Sequence, residues 1–250
     1  MATTNIRSDN FLTKFWANKR VLITGGSKGL GKGLALQLAN LGAKVAILAR
    51  HTEALTEVKI QNSKIITIQA DISNKNDIYK ITGQVTGALG ETIDVLINNA
   101  SSLGISPLAN LIDTPCENFI LALETNVLGP FRLIKAILPA MLLNKSGLIV
   151  NITSDASISA YSTWGVYSSS KAALDHLTAI WSKELPNITF LAIDPGDMFT
   201  DLQLEANSEA DESSLLNPNN VARELVHFLA LYENNSNKTR FSASEWRDLI

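Results

Sequence analysis

One stretch leaves this chain few ways to fold. Arg20-Val21-Leu22-Ile23 reads as a short buried strand, Thr24-Gly25-Gly26-Ser27-Lys28-Gly29-Leu30-Gly31 as a glycine-rich turn, and Lys32 to Leu41 as a helix. A second apolar run, Lys44 to Ala49, ends at Arg50. That order is the front half of a nucleotide-binding β-α-β unit. Gly25 allows a sharp turn, while Gly29 and Gly31 let backbone amides approach a pyrophosphate and let the helix pack close to the strand. A phosphate there would meet unpaired amides and the positive end of the helix macrodipole. The Gly-x-x-x-Gly-x-Gly spacing is looser than the commoner Gly-x-Gly-x-x-Gly. The strand before it and the helix after it favour nucleotide binding over a flexible turn in an unrelated α/β protein.

The alternation continues. His51 to Asn62 is a short helix candidate, Ile65 to Ala70 a third strand ending at Asp71, and a helix capped by Ser73 or Asn74 runs to about Leu89. Ile93 to Ile97 delivers Asn98-Asn99-Ala100 at its carboxyl end. Pro115 starts a helical pattern reaching Leu143, and Gly129-Pro130 inside it predicts two helices or one kinked helix. Gly147 to Ile152, Ile188 to Ile193 and Thr239 to Ala243 are further strands, with helices at Val166 to Leu185 and about Asn220 to Tyr232. Glu233 to Lys238 reads as a polar linker. Unbroken strand-helix alternation predicts one doubly wound parallel sheet, of six or seven strands, with helices on both faces. Residues 1–250 read as a single Rossmann-type domain, and acidic, serine-containing residues 197–218 as a solvated flap over the carboxyl edge of the sheet.

Composition narrows the function. Of 250 residues, 46% are apolar and 18% charged, which suits a globular chain. The formal net charge is -3 and no Lys/Arg cluster appears, so nothing invites nucleic acid. Cys116, the only cysteine, excludes an intrachain disulfide and reads as a packing residue. His51, His176 and His227 are far apart with no carboxylate or cysteine at metal-site spacing, so no metal is expected. The first sixteen residues, with Arg7 and Asp9, lack an export core, and no apolar stretch approaches the ~20 residues that span a bilayer. A soluble, cytoplasmic protein without a membrane partner is expected.

Ligands of open α/β sheets bind at the carboxyl ends of strands. Asn98 and Asn99 follow the fourth strand, Ser154 the fifth and Pro195-Gly196 the sixth, while Tyr167 and Lys171 are four apart and share a helical face. Singly each has a bland reading: Lys171 a solvated helix residue, Ser154 a turn serine, Tyr167 a surface aromatic with a bonded hydroxyl. Together behind a nucleotide loop they point to chemistry.

From about Arg20 to Thr200 the chain resembles the classical short-chain dehydrogenase/reductase family. The glycine motif matches Thr24, Gly25, Gly29 and Gly31, and an Asn-Asn-Ala-Gly motif matches Asn98-Asn99-Ala100 with Ser101 in place of glycine. The resemblance implies a strand order of 3-2-1-4-5-6-7, a catalytic tetrad of Asn126, Ser154, Tyr167 and Lys171, and a helix distortion at Asn126 that anchors a water. It implies a dinucleotide held by Gly25, Ser27, Lys28, Gly29, Leu30, Gly31, Arg50, Asp71, Ile72, Asn99, Ala100, Tyr167, Lys171, Pro195, Gly196 and Thr200. The substrate pocket is expected at Ser154, Tyr161, Trp164, Tyr167 and Met198. Family members usually assemble as homodimers or homotetramers through the two long middle helices. The carboxyl end departs from the family pattern: Arg240-Phe241-Ser242-Ala243 precedes Glu245-Trp246-Arg247 where a glycine pair is usual.

Tyrosine's ordinary pKa near ~10 is too high for a general base at neutral pH. An ammonium and an oxidised nicotinamide ring beside it would favour the phenolate. Tyr167 is therefore read as acid in carbonyl reduction and base in alcohol oxidation, Ser154 as holder of the substrate oxygen, and Lys171 as source of the field. An NAD site commonly has a carboxylate about twenty positions past the glycine turn. The second strand instead ends in Arg50, which with Lys28 could pair a 2'-phosphate, so NADP(H) is expected ahead of NAD(H). The reading is an oxidoreductase of a small carbonyl or alcohol; the rivals are an NAD-dependent alcohol dehydrogenase and a weakly active regulatory dinucleotide binder.

Overall fold

A computed structural model describes residues 10–90, 92–207, 209–232 and 238–250. Seven strands form one sheet in the order β3-β2-β1-β4-β5-β6-β7, every neighbouring pair parallel. They are β1 (Arg20–Thr24), β2 (Lys44–Ala49), β3 (Ile66–Gln69), β4 (Val95–Asn98), β5 (Leu148–Ile152), β6 (Thr189–Ile193) and β7 (Arg240–Phe241). The order reverses beside β1, whose neighbours are β2 and β4, and this leaves a crevice at their carboxyl ends.

The strands read as continuous apolar runs because both faces of the sheet are covered. Val21 and Ile23 of β1, with Val45 and Ile47 of β2, point into one core, which helices α2 (Gly29–Asn40) and α9 (Pro218–Leu231) close. Leu22, Ala46, Leu48 and Leu96 point into the other, closed by α4 (Ile78–Leu89) and α6 (Gly129–Asn144). The period of two along each strand sorts these residues between the layers. Helices α1 (residues 10–16), α3 (Thr52–Gln61), α5 (Cys116–Leu123), α7 (Gly165–Glu184), α8 (Asp201–Ala206) and α10 (Ala243–Arg247) complete the described fold.

Several expectations are corrected. Residues 10–16, given no element in the sequence reading, are helical and bury Trp16 completely, its indole Nε1 donating to the Val226 carbonyl at 3.3 Å. Helix α4 starts at Ile78 and not near Ser73 or Asn74. Those side chains are used up in local turns: Ser73 donates to Asp71, and the Asn74 carboxamide accepts from Asn76 N and donates to Asp77. The middle pattern divides as expected, α5 and α6 being joined through a π-helical segment at Glu124–Leu128 into one run, Cys116–Asn144. By length and composition that run is apolar enough to cross a membrane, although half of its most apolar window is buried inside the fold. Cys116 is exposed and packs no core. Most of the expected linker, residues 233–237, lies outside the described residues.

The expected last strand keeps only Arg240 and Phe241, because Ser242 caps α10 through reciprocal bonds with Glu245. Trp246 on α10 is fully buried against Phe228 and donates Nε1 to the Asp194 carbonyl at 2.9 Å. Trp246→Ala should therefore cost about 3–5 kcal/mol of unfolding free energy. Urea denaturation reads it; a loss under 1 kcal/mol would mean that α10 is not part of the core.

Candidate active site

A cavity of about 660 Å³ opens at the carboxyl ends of the strands. Its floor is the seam between β1 and β4. The Thr24 hydroxyl accepts from both Asn99 N and Ala100 N at 3.0 Å, and Asn99 Nδ2 donates back to the Thr24 and Gly25 carbonyls. Here the glycines are sterically required. Gly25 has φ +65°, and a Cβ on Gly31 would overlap the Gly25 carbonyl oxygen. Helix α2 therefore starts directly above the turn, its first amides facing the cavity, which is a cradle suited to a pyrophosphate.

Of the expected tetrad, dinucleotide-binding and substrate-pocket residues, all line this cavity except Gly31 and Asn126. Gly31 sits behind the turn. Asn126 is fully buried in the π-helical segment, where its carboxamide is completely used: Oδ1 accepts from Ser102 N at 2.8 Å and Ser101 Oγ at 3.2 Å, and Nδ2 donates to the Ser102 carbonyl and Ser170 Oγ, both at 2.8 Å. It ties the loop after β4 to α7. Asn98 lies beneath, donating to Asn151 Oδ1 at 2.8 Å across the β4–β5 pair.

Tyr167 and Lys171 are both buried on α7, with the ammonium 5.5 Å from the phenol ring centre. Lys171 Nζ donates to the Ile152 carbonyl at 2.8 Å. Burial lowers its pKa to about 8, against a smaller upward pull from Asp175. Burial pushes the Tyr167 phenol above its ordinary value; the Ser101 and Ser154 hydroxyls offset this in part, and the charges of Asp194 and Asp155 add to it. Desolvation of the phenolate thus dominates here; the expected lowering is assigned to the ammonium and an oxidised nicotinamide ring acting together.

Ser154 shows both of its readings at once. It lines the cavity, yet its Oγ accepts from Ala156 N at 3.1 Å and donates to Asp155 Oδ1 at 2.9 Å. Asp155 also accepts from the Tyr161 hydroxyl at 2.6 Å, so Tyr161, 47% exposed, stands at the mouth as a partner of a carboxylate. Trp164 meets the Tyr167 ring edge-on at 5.7 Å. Lys28 is committed elsewhere than expected: Nζ bonds Asp201 Oδ2 at 2.7 Å, across the cleft between the glycine turn and α8. Thr200 caps α8 and lies over Gly29. Asp155, Asp197 and Asp201 carried no sequence signal of their own; their shared place emerges only when the loops after β5 and β6 converge.

The short chain dehydrogenase family model matches residues 19–211. A short chain dehydrogenase of Pseudocercospora fijiensis is 34% identical over 192 residues, 74% of this chain and 61% of that relative's length. A 3-oxoacyl-[acyl-carrier-protein] reductase of Synechocystis is 33% identical over 195 residues, 75% of this chain and 77% of that protein. Among solved structures, an alcohol dehydrogenase from Thermococcus sibiricus complexed with 5-hydroxy-NADP superposes with TM-score 0.78 at 26% identity, covering 90% of this chain and 96% of that one.

A buried ammonium costs stability wherever the unfolded chain would also be charged. Below about pH 8 both states carry the Lys171 proton and the cost is present in full. As pH rises from there toward the ordinary lysine value near ~10.4, the folded chain sheds its proton first and stability rises. Lys171→Met should thus stabilise the fold at pH 7 by about 1–2 kcal/mol, after roughly 1 kcal/mol is lost to the unpaired Ile152 carbonyl, and the gain should fade by pH 10. Urea unfolding of parent and variant at the two pH values measures it.

Proposed function

The chain belongs to the short-chain dehydrogenase/reductase family, and from that premise we propose that it is an NADP(H)-dependent reductase of small ketones or aldehydes, reversible to alcohol oxidation. One observation carries the reading: the hydroxyls of Ser154 and Tyr167 and the ammonium of Lys171 converge on the same cavity as the glycine turn. When bound, the dinucleotide supplies or accepts the hydride. Its pyrophosphate would rest on the amides of residues 27–31 and its adenine near Asp71 and Ile72, which line the adjoining wall.

Tyr167 gives its proton to the carbonyl oxygen in reduction and takes one from the alcohol in oxidation. Ser154 turns its hydroxyl from Asp155 to the substrate oxygen as that oxygen gains charge. Lys171 holds a positive field beneath the phenol, and Asn126 keeps the loop after β4 in place. Tyr161, Trp164 and Met198 form the substrate wall, with Asp197, Asp201, Leu202, Gln203 and Glu205 of the expected flap beside them. Its carboxylates Asp155, Asp197, Asp201 and Glu205 favour an uncharged carbonyl over an anionic one. The reductive direction draws support from the Synechocystis relative, named for a 3-oxoacyl group.

The NADP(H) preference rests on Arg50 at the tip of β2, where it lines the cavity and no carboxylate stands. Lys28 joins it only by leaving an exposed pair with Asp201, of a kind worth about 0–1 kcal/mol. Assembly as a homodimer or homotetramer is supported by Leu128, Leu142 and Ile180, exposed apolar residues on the middle helices. A cytoplasmic location fits this reading.

Tyr167→Phe should nearly abolish turnover across a panel of small carbonyls while leaving dinucleotide affinity within a few fold; a variant of parental rate would remove Tyr167 from proton transfer. Arg50→Ala should weaken NADPH at least tenfold more than NADH. Dissociation constants for the two reduced dinucleotides test this, and equal weakening would sink the 2'-phosphate assignment.

A further inference from the structure

The carboxyl-terminal segment, where the chain departs from its family's pattern, reaches into the back of the site. Phe241 accepts from Asp194 N at 3.0 Å, Trp246 donates to the Asp194 carbonyl, and Arg247 Nη2 donates to the Pro195 carbonyl at 2.9 Å. Arg240 goes further. Its Nε donates to Asp175 Oδ2 at 2.9 Å, its Nη2 to the Ser154 carbonyl at 3.0 Å, and the same nitrogen stands 3.9 Å from Asp194 Oδ2. All three side chains are largely buried: Arg240 is 21% exposed, Asp175 13% and Asp194 7%.

We propose that Arg240 is a positioning residue for the reaction: from behind the cavity it holds the Ser154 backbone and screens the Asp175 and Asp194 carboxylates from Tyr167 and Lys171. This rests on the roles given above to Ser154, Tyr167 and Lys171.

The geometry requires both jobs. Ser157 Oγ lies 2.8 Å from the Ser154 carbonyl and 2.5 Å from Asp175 Oδ2, but its single proton serves one of them at a time. Asp175 Oδ1 is buried with no partner. The planar fork of Arg240 supplies bonds to both the carbonyl and the carboxylate, which one lysine nitrogen would not match. The charged groups around Tyr167 and Lys171 come from every side: Asp175 on α7 itself, Asp155 after β5, Asp194 and Asp197 after β6, and Arg240 on β7. Among these, Arg240 is the cation that offsets the carboxylates. Without it, Asp175 and Asp194 would act on the phenol and ammonium unscreened, favouring their protonated forms.

The test compares Arg240→Gln, Arg240→Lys and the double variant Asp175→Asn/Arg240→Gln, each with its dinucleotide, across pH. Arg240→Gln should lower kcat roughly tenfold, keep the NADP⁺ dissociation constant within about twofold, and move the rising limb of alcohol oxidation up by about one pH unit. Arg240→Lys should return the limb to its parental place while kcat stays low. Asp175→Asn should draw the limb of Arg240→Gln back down. Parental kcat and an unmoved limb in Arg240→Gln would overturn the inference, as would equal loss of kcat in all three variants with no movement of the limb. If Arg240→Gln does not fold, parental kcat in Arg240→Lys overturns it. If the parent oxidises no alcohol, the proposed function has failed on its own. The phenol of residue 167 is then titrated with NADP⁺ bound, by ultraviolet absorbance of parent minus Tyr167→Phe; the same difference in an Arg240→Gln background must lie higher, and an unmoved titration overturns the inference.

Discussion

The site depends on the pinch between the ends of β1 and β4. Parallel pairing brings Ile23 beside Ile97, and the two strands then have to part to leave a crevice. They part without orphaned backbone because four hydrogen bonds cross the gap, from Asn99 and Ala100 on one side to Thr24 and Gly25 on the other. Only a chain without Cβ atoms at the turn can come this close to Asn99, so the glycines, the buried threonine and the asparagine are parts of one joint. The start of α2, the floor of the cavity and the Ser101–Ser102 loop all take their places from it.

Above that joint the protein places an ammonium and a phenol where water is excluded. Lys171 is 2% exposed and Tyr167 7%. The fold tolerates this because each group has local support: a carbonyl for the ammonium, and serine hydroxyls for the phenol. Burial pulls the two pKa values in opposite directions, the lysine down toward neutrality and the tyrosine further from it. A phenol poised in this way responds strongly to any positive charge brought beside it, because little solvent remains to screen the change. The cost to stability and the sensitivity to a bound cation have the same physical origin.

Much of this was legible in the sequence, for identifiable reasons. The alternating apolar runs and punctuating glycines set the elements and their layers, since both rest on short-range patterns that tertiary packing reinforces, while the strand order followed from the family resemblance. The spacing from Asn126 through Ser154 to Tyr167 and Lys171 marked the chemistry, and the π-helical segment stands where a distortion was expected. What stayed hidden is long-range pairing between polar residues of ordinary appearance. Lys28 meets Asp201 across 173 positions, and Arg240 meets Ser154 across 86. No local period announces such contacts. The residue 10–16 helix was missed because it is short, and one tryptophan carries its burial. The late start of α4 reflects asparagine and aspartate side chains that capture nearby amides and so compete with the helix for them.

The carboxyl end shows why a departure from family pattern need not weaken a site. A strand of two residues contributes little pairing by itself. It supplies position: once Phe241 is bonded beside Asp194, Arg240 falls under the loop after β5, and α10 turns back to bury Trp246 against Phe228. The Arg247 guanidinium, 4.3 Å from the Trp246 ring, then bonds the Pro195 carbonyl and Glu224. Loops after two different strands, each carrying groups that face the cavity, are thereby held by a single segment with a buried aromatic anchor. Loops of that kind are elsewhere the softest parts of an α/β protein. Here their backbone carbonyls are tied down from behind, which leaves the side chains on the cavity face as the parts free to respond to what binds there.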